Sequence, residues 1–240
     1  MDAMAVSPTC RSLISMAAKD IFSHRKPRNA KGERAAPGHR KPAPRYLLVC
    51  EGSKTEPFYF RDLLQDFGVP PLQVKIGRNE GLSPDQIVNR ALELYEEDRR
   101  SGDAFDEVFC IFDRDAHEHF QAAVSRVKDL ARQGSPLRTV VSVPCFEFWL
   151  LLHFGYTAKP FAAKGKKSVG SVVVSELKTC PGFGKYDKGN LGVYALLRPK
   201  LDHALRYASQ LQAAQAKDSP FQNPSTQVHE LIAKLKVLGR

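Results

Sequence analysis

Short strand-like segments alternate along this chain with helical segments, and this alternation constrains the fold more than any other feature. The predicted strands lie at residues 46–50, 72–76, 108–112 and 137–143, and those at 46–50 and 108–112 are continuous apolar runs. Short continuous apolar runs are typical of strands that are buried on both faces. Because helical segments with short connections separate them, the sequence predicts an α/β fold, in which helices flank both faces of a mostly parallel sheet.

Helical spacing and capping residues place the helices. Phe60, Leu63 and Leu64 lie on one face of the first helix, which Gly68 closes. The second begins at Ser83-Pro84-Asp85-Gln86, a capping box with proline at the first helical position. Further helices are predicted at about 116–132, 145–153, 193–197, 201–217 and 228–238, and Ser225 or Thr226 is expected to cap the last one.

Composition divides the chain into three predicted parts. Residues 1–44 form a basic arm that is expected to be largely disordered, because it has little to bury. Residues 45–155 form the α/β core. Residues 156–240 begin with a lysine-rich insertion or mobile loop, around a short element at 172–177, and continue as a helical extension packed on the core.

The charge balance favours a polyanionic partner. The chain carries 36 basic and 26 acidic side chains, a formal net charge of +10. Lysine and arginine gain free energy by displacing counterions from phosphates, so nucleic acid is the expected partner. A surface that is basic only for solubility is the alternative.

Cysteine usage and hydropathy favour a cytoplasmic protein. The five cysteines are scattered without a CxxC pair, which argues against a disulfide framework and a structural zinc site. No apolar run approaches the length of a membrane span, so no membrane partner is expected. The first 22 residues lack the charge and apolar core of a signal peptide.

Carboxylates follow two of the predicted strands. Glu51 comes directly after the first strand, and Asp113 and Asp115 follow the third. Ligands in parallel sheets bind outside the carboxyl ends of the strands, so these acids are expected to converge there. Their mutual repulsion favours a bound Mg²⁺ or Mn²⁺, which prefers oxygen ligands and can activate water for phosphodiester hydrolysis. Ordinary helix capping by these acids is the alternative.

The same pattern carries a family resemblance. A Glu-Gly after the first strand and an Asp-x-Asp after a later one resemble the Toprim domain of topoisomerases, primases and overcoming-lysogenization nucleases. An ordered set of segments over about residues 45–238 narrows the resemblance to the RloB-like family. These segments are VCEGSKTEPFYF, IFDRDAH, SVPCFEFWLLLHF, KYDKG and NPSTQVHEL.

The resemblance implies a fold, a site and a function. The fold would be a Toprim- or Rossmann-like sheet. Glu51 would act as general acid/base or metal ligand, and Asp113 and Asp115 as metal ligands. The RloB-like segments add Glu147, which is either a fourth catalytic acid of the crevice or an ordinary first-turn acid of its helix. The implied function is an endonuclease effector of anti-phage abortive infection, working with an AAA- or ABC-type ATPase.

Several basic and aromatic side chains are candidates for binding nucleic acid. Lys54 lies in the loop after the first strand, and Lys164, Lys166 and Lys167 lie in the lysine-rich region. Aromatic residues near these lysines either stack on bases or anchor the loops. They are Tyr156, Phe161, Phe183 and Tyr186.

Four further residues are weaker candidates. Glu56 is interpreted as a capping acid, His117 and His119 as helix-surface residues or proton donors, and His153 as a buried hydrogen-bonding residue. The chain lacks a GxxxxGK[ST] loop, so it is not expected to hydrolyse ATP by that route. The alternative to a nuclease is a non-catalytic subunit that binds nucleic acid or a trigger and signals to an ATPase.

Overall fold

The four predicted strand segments form the parallel strands of one sheet. The computed structural model describes residues 43–77, 81–114, 119–215 and 221–239. Its strands are β1 (Tyr46–Cys50), β2 (Val74–Gly77), β3 (Glu107–Asp113), β4 (Leu137–Val143) and β5 (Ser225–Thr226). Their order is β2-β1-β3-β4-β5, and β5 alone pairs antiparallel in this sheet. The predicted α/β fold with a mostly parallel sheet is therefore confirmed.

Helices cover both faces of the sheet. They are α1 (Thr55–Asp66), α2 (Pro84–Arg100), α3 (Phe120–Arg132), α4 (Phe146–Leu151), α5 (Val169–Leu177), α6 (Val193–Leu197), α7 (Leu201–Ala214) and α8 (Val228–Leu238). A short 3₁₀ helix, Arg198–Lys200, links α6 to α7. In the described residues, no helix is both long and apolar enough to cross a membrane.

The alternation of side chains along β1 assigns each residue to one of two cores. Leu48 and Cys50 point to the face that α1 and the C-terminal helices cover. Leu47 and Val49 point to the opposite face, against α2 and α3. All four are fully buried. Because successive side chains of a strand point to opposite faces, double-sided burial explains why β1 has no polar positions.

Most predicted elements are confirmed, with local corrections. Ser83 and Gln86 form the predicted capping box of α2. The expected cap of the last helix was wrong, because Ser225 and Thr226 extend the sheet as β5 and Gln227 caps α8. The Thr226 hydroxyl nevertheless accepts a hydrogen bond from the Val228 N–H at 3.2 Å. The predicted basic arm lies outside the described residues, apart from its last two.

The lysine-rich region is packed more tightly than a mobile loop. Its element, predicted at 172–177, is the longer helix α5, which packs against α4. Phe161, Phe183 and Tyr186 are buried, so they anchor the chain, and base stacking by these three was the wrong alternative. Tyr156 is 40% exposed and meets the ring of Tyr207 edge-on.

The sheet topology determines where a site can form. The chain moves outward from β1 to β2 and then crosses back to β3, on the other side of β1. The crossovers therefore leave opposite faces of the sheet at the carboxyl ends of β1 and β3. Such a switch point opens a crevice between neighbouring strand ends, which is the usual ligand position in an open parallel sheet.

His153 has the buried hydrogen-bonding role that the sequence suggested. It is 1% exposed, and its Nδ1 lies 3.0 Å from the carbonyl oxygen of Trp149. Burial lowers its pKa from 6.5 to about 4, because the charged form loses its hydration.

We expect this histidine to make the fold acid-sensitive. Between pH 6.5 and 4 the unfolded chain binds a proton at His153 that the folded chain does not. The free energy of unfolding should therefore fall as the pH is lowered through this window, by roughly 3 kcal/mol from this group. Chemical denaturation at pH 7 and pH 4.5 measures the loss, and His153→Gln should reduce it. An equal loss in wild type and variant would contradict the assignment.

Candidate active site

The ends of β1 and β3 bring Glu51 and Asp113 together. The Glu51 N–H donates to the Ile111 carbonyl at 2.8 Å, which extends the β1–β3 pairing to the acid. The Glu51 Oε2 atom accepts a hydrogen bond from the backbone N–H of Asp113 at 2.9 Å. The Glu51 carboxylate is thereby turned toward the neighbouring strand, at the switch point of the sheet.

Glu56 is a third acid of this site, which the sequence interpretation assigned to capping. It lies in the first turn of α1 and is only 6% exposed. Gly52 makes room for it, because a Cβ atom at that position would collide with the Glu56 carboxylate. Burial, followed by the negative charges of Glu147 and Glu51, raises the pKa of Glu56 to about 7, although Lys188 and a backbone hydrogen bond lower it.

Glu147 is the fourth acid, and it follows β4 in the first turn of α4. It is 2% exposed. Its Oε1 atom lies 3.3 Å from the Tyr186 hydroxyl, which donates, and 3.5 Å from the Lys188 ammonium. Its Oε2 atom is buried and has no hydrogen-bond partner among the described residues. An unpaired carboxylate oxygen in this position is costly unless a ligand meets it.

The four acids face one cleft of about 510 Å³. The loop before α1 forms one wall and the start of α2 forms another, so the positive ends of two helix dipoles point into the cleft. Lys54 and Lys188 also line it. The cleft therefore combines carboxylate oxygens, which can bind a cation, with positively charged groups that attract anions.

The electrostatics of the cleft indicate an excess of negative charge. Burial raises the pKa of Asp113 well above its usual value, and Glu56, Glu147 and Glu51 raise it further. Burial lowers the pKa of Lys188, but Glu147, together with Cys145 and other nearby groups, more than offsets this and leaves it raised. Burial is the larger cause for Asp113, and the negative charges of the neighbouring acids contribute to both shifts.

The carboxylate oxygens of the cleft are the kind of ligand that a divalent cation prefers. Among the described residues, no three His, Cys, Asp or Glu side chains already enclose a metal position. Asp115, a predicted ligand, lies outside the described residues. Glu51, Asp113 and Glu147 supply carboxylate oxygens, which suit Mg²⁺ and Mn²⁺, and the unpartnered Glu147 Oε2 is available to such an ion. These residues and Glu56 are the ones that would hold it.

The structure brings some of the predicted site residues together and leaves others apart. Glu51, Asp113, Glu147 and Lys54 all line the cleft. The predicted nucleic-acid lysines of the 156–190 region lie in and beside an exposed turn, and they are not among the lining residues. They are Lys164, Lys166 and Lys167.

The predicted histidines are not part of the described cleft either. His119 precedes α3 and His153 is buried in the core. His117 lies outside the described residues.

The sequence interpretation gave too little weight to two lining residues. Glu56 lies five positions after Glu51 in the same EGSKTE segment, but it was assigned to capping and not to the site. Lys188 is part of the KYDKG segment and of the lysine-rich region that was a candidate for contacting nucleic acid, but it was not expected beside the acids. Its approach to the acids depends on a contact between segments that are distant in sequence, so no local pattern could predict it.

The fold and the site define an α/β protein with a buried acidic cleft at the carboxyl edge of its parallel sheet. The family model described as RloB-like protein matches residues 46–235. Because this match covers most of the chain, the protein belongs to the RloB-like family, as the sequence motifs predicted. No curated protein and no solved structure matches the chain.

Burial of the Glu56 carboxylate, together with repulsion by its neighbours, should make the metal-free fold less stable at neutral pH. The folded pKa of Glu56, about 7, exceeds the ordinary value of 4.5, so the folded state holds a proton that the unfolded state loses. Stability contributed by this proton is present below pH 4.5 and is lost as the pH rises through 7. In chelator at pH 8, Glu56→Gln should therefore be more stable than wild type by on the order of 2 kcal/mol.

Denaturant unfolding checks this expectation. The advantage of Glu56→Gln should disappear at pH 4.5, and adding Mn²⁺ at pH 8 should stabilise wild type more than the variant. Glu97→Gln, which changes an exposed acid on α2, provides the control. A Glu56→Gln protein that is destabilised at pH 8 would show that the buried carboxylate is not under repulsion.

Proposed function

We propose that this protein is a metal-dependent endonuclease that hydrolyses phosphodiester bonds in nucleic acid. The observation that carries the proposal is the cleft, where four carboxylates from three strand ends meet at the switch point of the sheet. The order of the acids supports it, since a Glu after the first strand and an Asp at the end of β3 follow the Toprim pattern. With Asp115, that pattern supplies the metal-binding acids of nucleases.

The chain's own residues are suited to separate tasks in such a reaction. Glu51, Asp113 and Glu147 would hold Mg²⁺ or Mn²⁺, with Asp115 as the expected further ligand. The bound ion would polarise the phosphate and activate a water molecule. Lys54, the residue before α1, lines the cleft and would contact a phosphate oxygen there. Glu56 and Glu147 are almost fully buried, which limits bulk water around them and strengthens their charge interactions.

Membership of the RloB-like family supports a role in anti-phage defence. We propose that the nuclease acts as an effector of abortive infection in the cytoplasm and that an AAA- or ABC-type ATPase works with it. The net charge of +10 is consistent with a nucleic-acid substrate, because the acidic cleft lies within a chain that is otherwise strongly basic. An acidic catalytic centre within a basic protein binds the substrate backbone through its surroundings.

A non-catalytic role is the second candidate. It is favoured by the open geometry of the acids, since no three of the described donor side chains enclose a metal position. In that case the protein would bind nucleic acid or a trigger and pass a signal to an ATPase partner. Salt-dependent binding without cleavage in any divalent cation would support it.

Cleavage assays with matched variants test the nuclease proposal. Purified protein is incubated with total RNA or plasmid DNA in Mg²⁺, Mn²⁺ or chelator. Wild type should cut one substrate only when a divalent cation is present. Asp113→Asn and Glu51→Gln should each lower the rate about 100-fold or more, because even outer-shell partners of a metal contribute roughly 10- to 100-fold.

Asp129→Asn is the matched control. It removes an exposed carboxylate that pairs with Arg132 on α3, outside the cleft, and should cut at the wild-type rate. Circular dichroism establishes that each variant is folded. Cleavage by folded Asp113→Asn at the wild-type rate would contradict the proposal, and binding without any cleavage would favour the second candidate.

A further inference from the structure

The segment Lys185–Gly189, here called the strap, closes one side of the cleft. Tyr186 is 3% exposed and anchors the strap in the core. The Gly189 N–H donates to the Thr55 hydroxyl at 2.9 Å, which ties the strap to the first turn of α1. Gly189 has a positive φ of 87°, and a Cβ atom there would collide with the Lys54 side chain. Glycine is therefore required at position 189 for the strap to lie beside the cleft.

The strap brings Lys188 to the acids but leaves its ammonium accessible. The Lys188 side chain is 65% exposed, whereas Glu147, its partner, is 2% exposed. The Nζ–Oε1 distance of 3.5 Å is longer than the about 2.7–2.9 Å of a strong charge-assisted hydrogen bond. An ammonium has three donors, and this loose ion pair does not engage all of them. Lys188 could therefore turn to an anion in the cleft once Glu147 is engaged elsewhere.

The Glu147 carboxylate also has few hydrogen-bond partners. Its Oε1 atom is shared by Tyr186 and Lys188, and its Oε2 atom has no partner among the described residues. Both contacts to Oε1 are long. A buried carboxylate held this loosely is ready to accept a more strongly charged partner.

We propose that Lys188 is a phosphate-contacting residue that Glu147 holds in the metal-free protein and releases when a divalent cation binds to Glu147. This inference rests on the proposed metal site and adds a coupling between cation and substrate. Cation and ammonium compete for one carboxylate, so binding of the cation leaves Lys188 in the cleft with its charge unpaired. A substrate phosphate then takes the place of Glu147.

The coupling must be reciprocal, because both ligands act through the same ion pair. The cation strengthens phosphate binding by freeing Lys188, and phosphate strengthens cation binding by removing the competing ammonium from Glu147. A lysine that only neutralised the acids would affect cation binding through its charge, but it would not make phosphate binding depend on the cation. The two roles therefore differ in measurements that do not depend on cleavage.

Cation binding provides the first measurement. Equilibrium binding of Mn²⁺ is compared among the full-length wild type, Lys188→Gln and Lys185→Gln. Lys185 is an exposed residue of the same strap and is not among the residues lining the cleft. Lys185→Gln therefore serves as the control, because it makes the same change of charge outside the cleft. Lys188→Gln should bind Mn²⁺ about fivefold more tightly than wild type, because the competitor is gone. Lys185→Gln should bind it like wild type.

Phosphate binding provides the second measurement. The probes are fluorescein-labelled single-stranded DNA and RNA 20-mers, titrated by anisotropy at several KCl concentrations in chelator and in Ca²⁺. In Ca²⁺, Lys188→Gln should bind the better probe about fivefold or more weakly than wild type. Its slope of log K against log[KCl] should be shallower than that of wild type by about 0.7, the loss of one phosphate contact. In chelator, wild type and Lys188→Gln should have the same slope.

Each outcome decides the inference separately from the nuclease proposal. Tighter Mn²⁺ binding together with a slope difference confined to Ca²⁺ supports the release of Lys188, even if wild type never cuts. Equal slopes of wild type and Lys188→Gln in Ca²⁺ overturn it, even if wild type cuts efficiently. Weaker Mn²⁺ binding by Lys188→Gln also overturns it, because the lysine would then be supporting the metal site. Absence of oligonucleotide binding by wild type overturns both this inference and the nucleic-acid function.

Discussion

Mutual repulsion of clustered carboxylates, two of which are buried, is the constraint on which the rest of the site depends. Glu51, Glu56, Asp113 and Glu147 are held in one cleft, and burial raises the pKa of two of them. A fold would lose stability from this arrangement unless a ligand compensated it. The sheet supplies the rigidity that holds the acids together, because β1, β3 and β4 are paired over most of their length. The clustered acids thus lower the stability of the fold but form a site before any ligand binds, as is common for functional clusters.

The contacts around the acids come from segments that are distant in the sequence. The β1–α1 loop contributes Glu51, Gly52 and Glu56, and the strap contributes Lys188 more than a hundred residues later. The hydrogen bond from Gly189 to Thr55 joins these two segments. Folding of the C-terminal region onto the core is therefore part of building the cleft.

Local patterns predicted the elements well, and long-range contacts account for what they missed. β1 has the predicted bounds because charged residues flank its apolar run, and β4 has them because a proline stands on each side of it. The Ser83 capping box is likewise a local signal. The convergence of Glu51 and Asp113 followed from the parallel topology. Glu56 was assigned to capping because its burial depends on Gly52 and on the distant Glu147. Thr226 was assigned to a cap because nothing local indicates its pairing with Ser142.

Crystals grown with Mn²⁺ test most directly whether the acidic cleft binds a divalent cation. Anomalous diffraction locates manganese without assumptions about the protein. The account predicts an anomalous peak in the cleft, with oxygen ligands from Glu51, Asp113 or Glu147 and with Lys188 moved away from Glu147. Full-occupancy manganese elsewhere on the protein, with the cleft free of anomalous density and the Lys188–Glu147 pair intact, would contradict it.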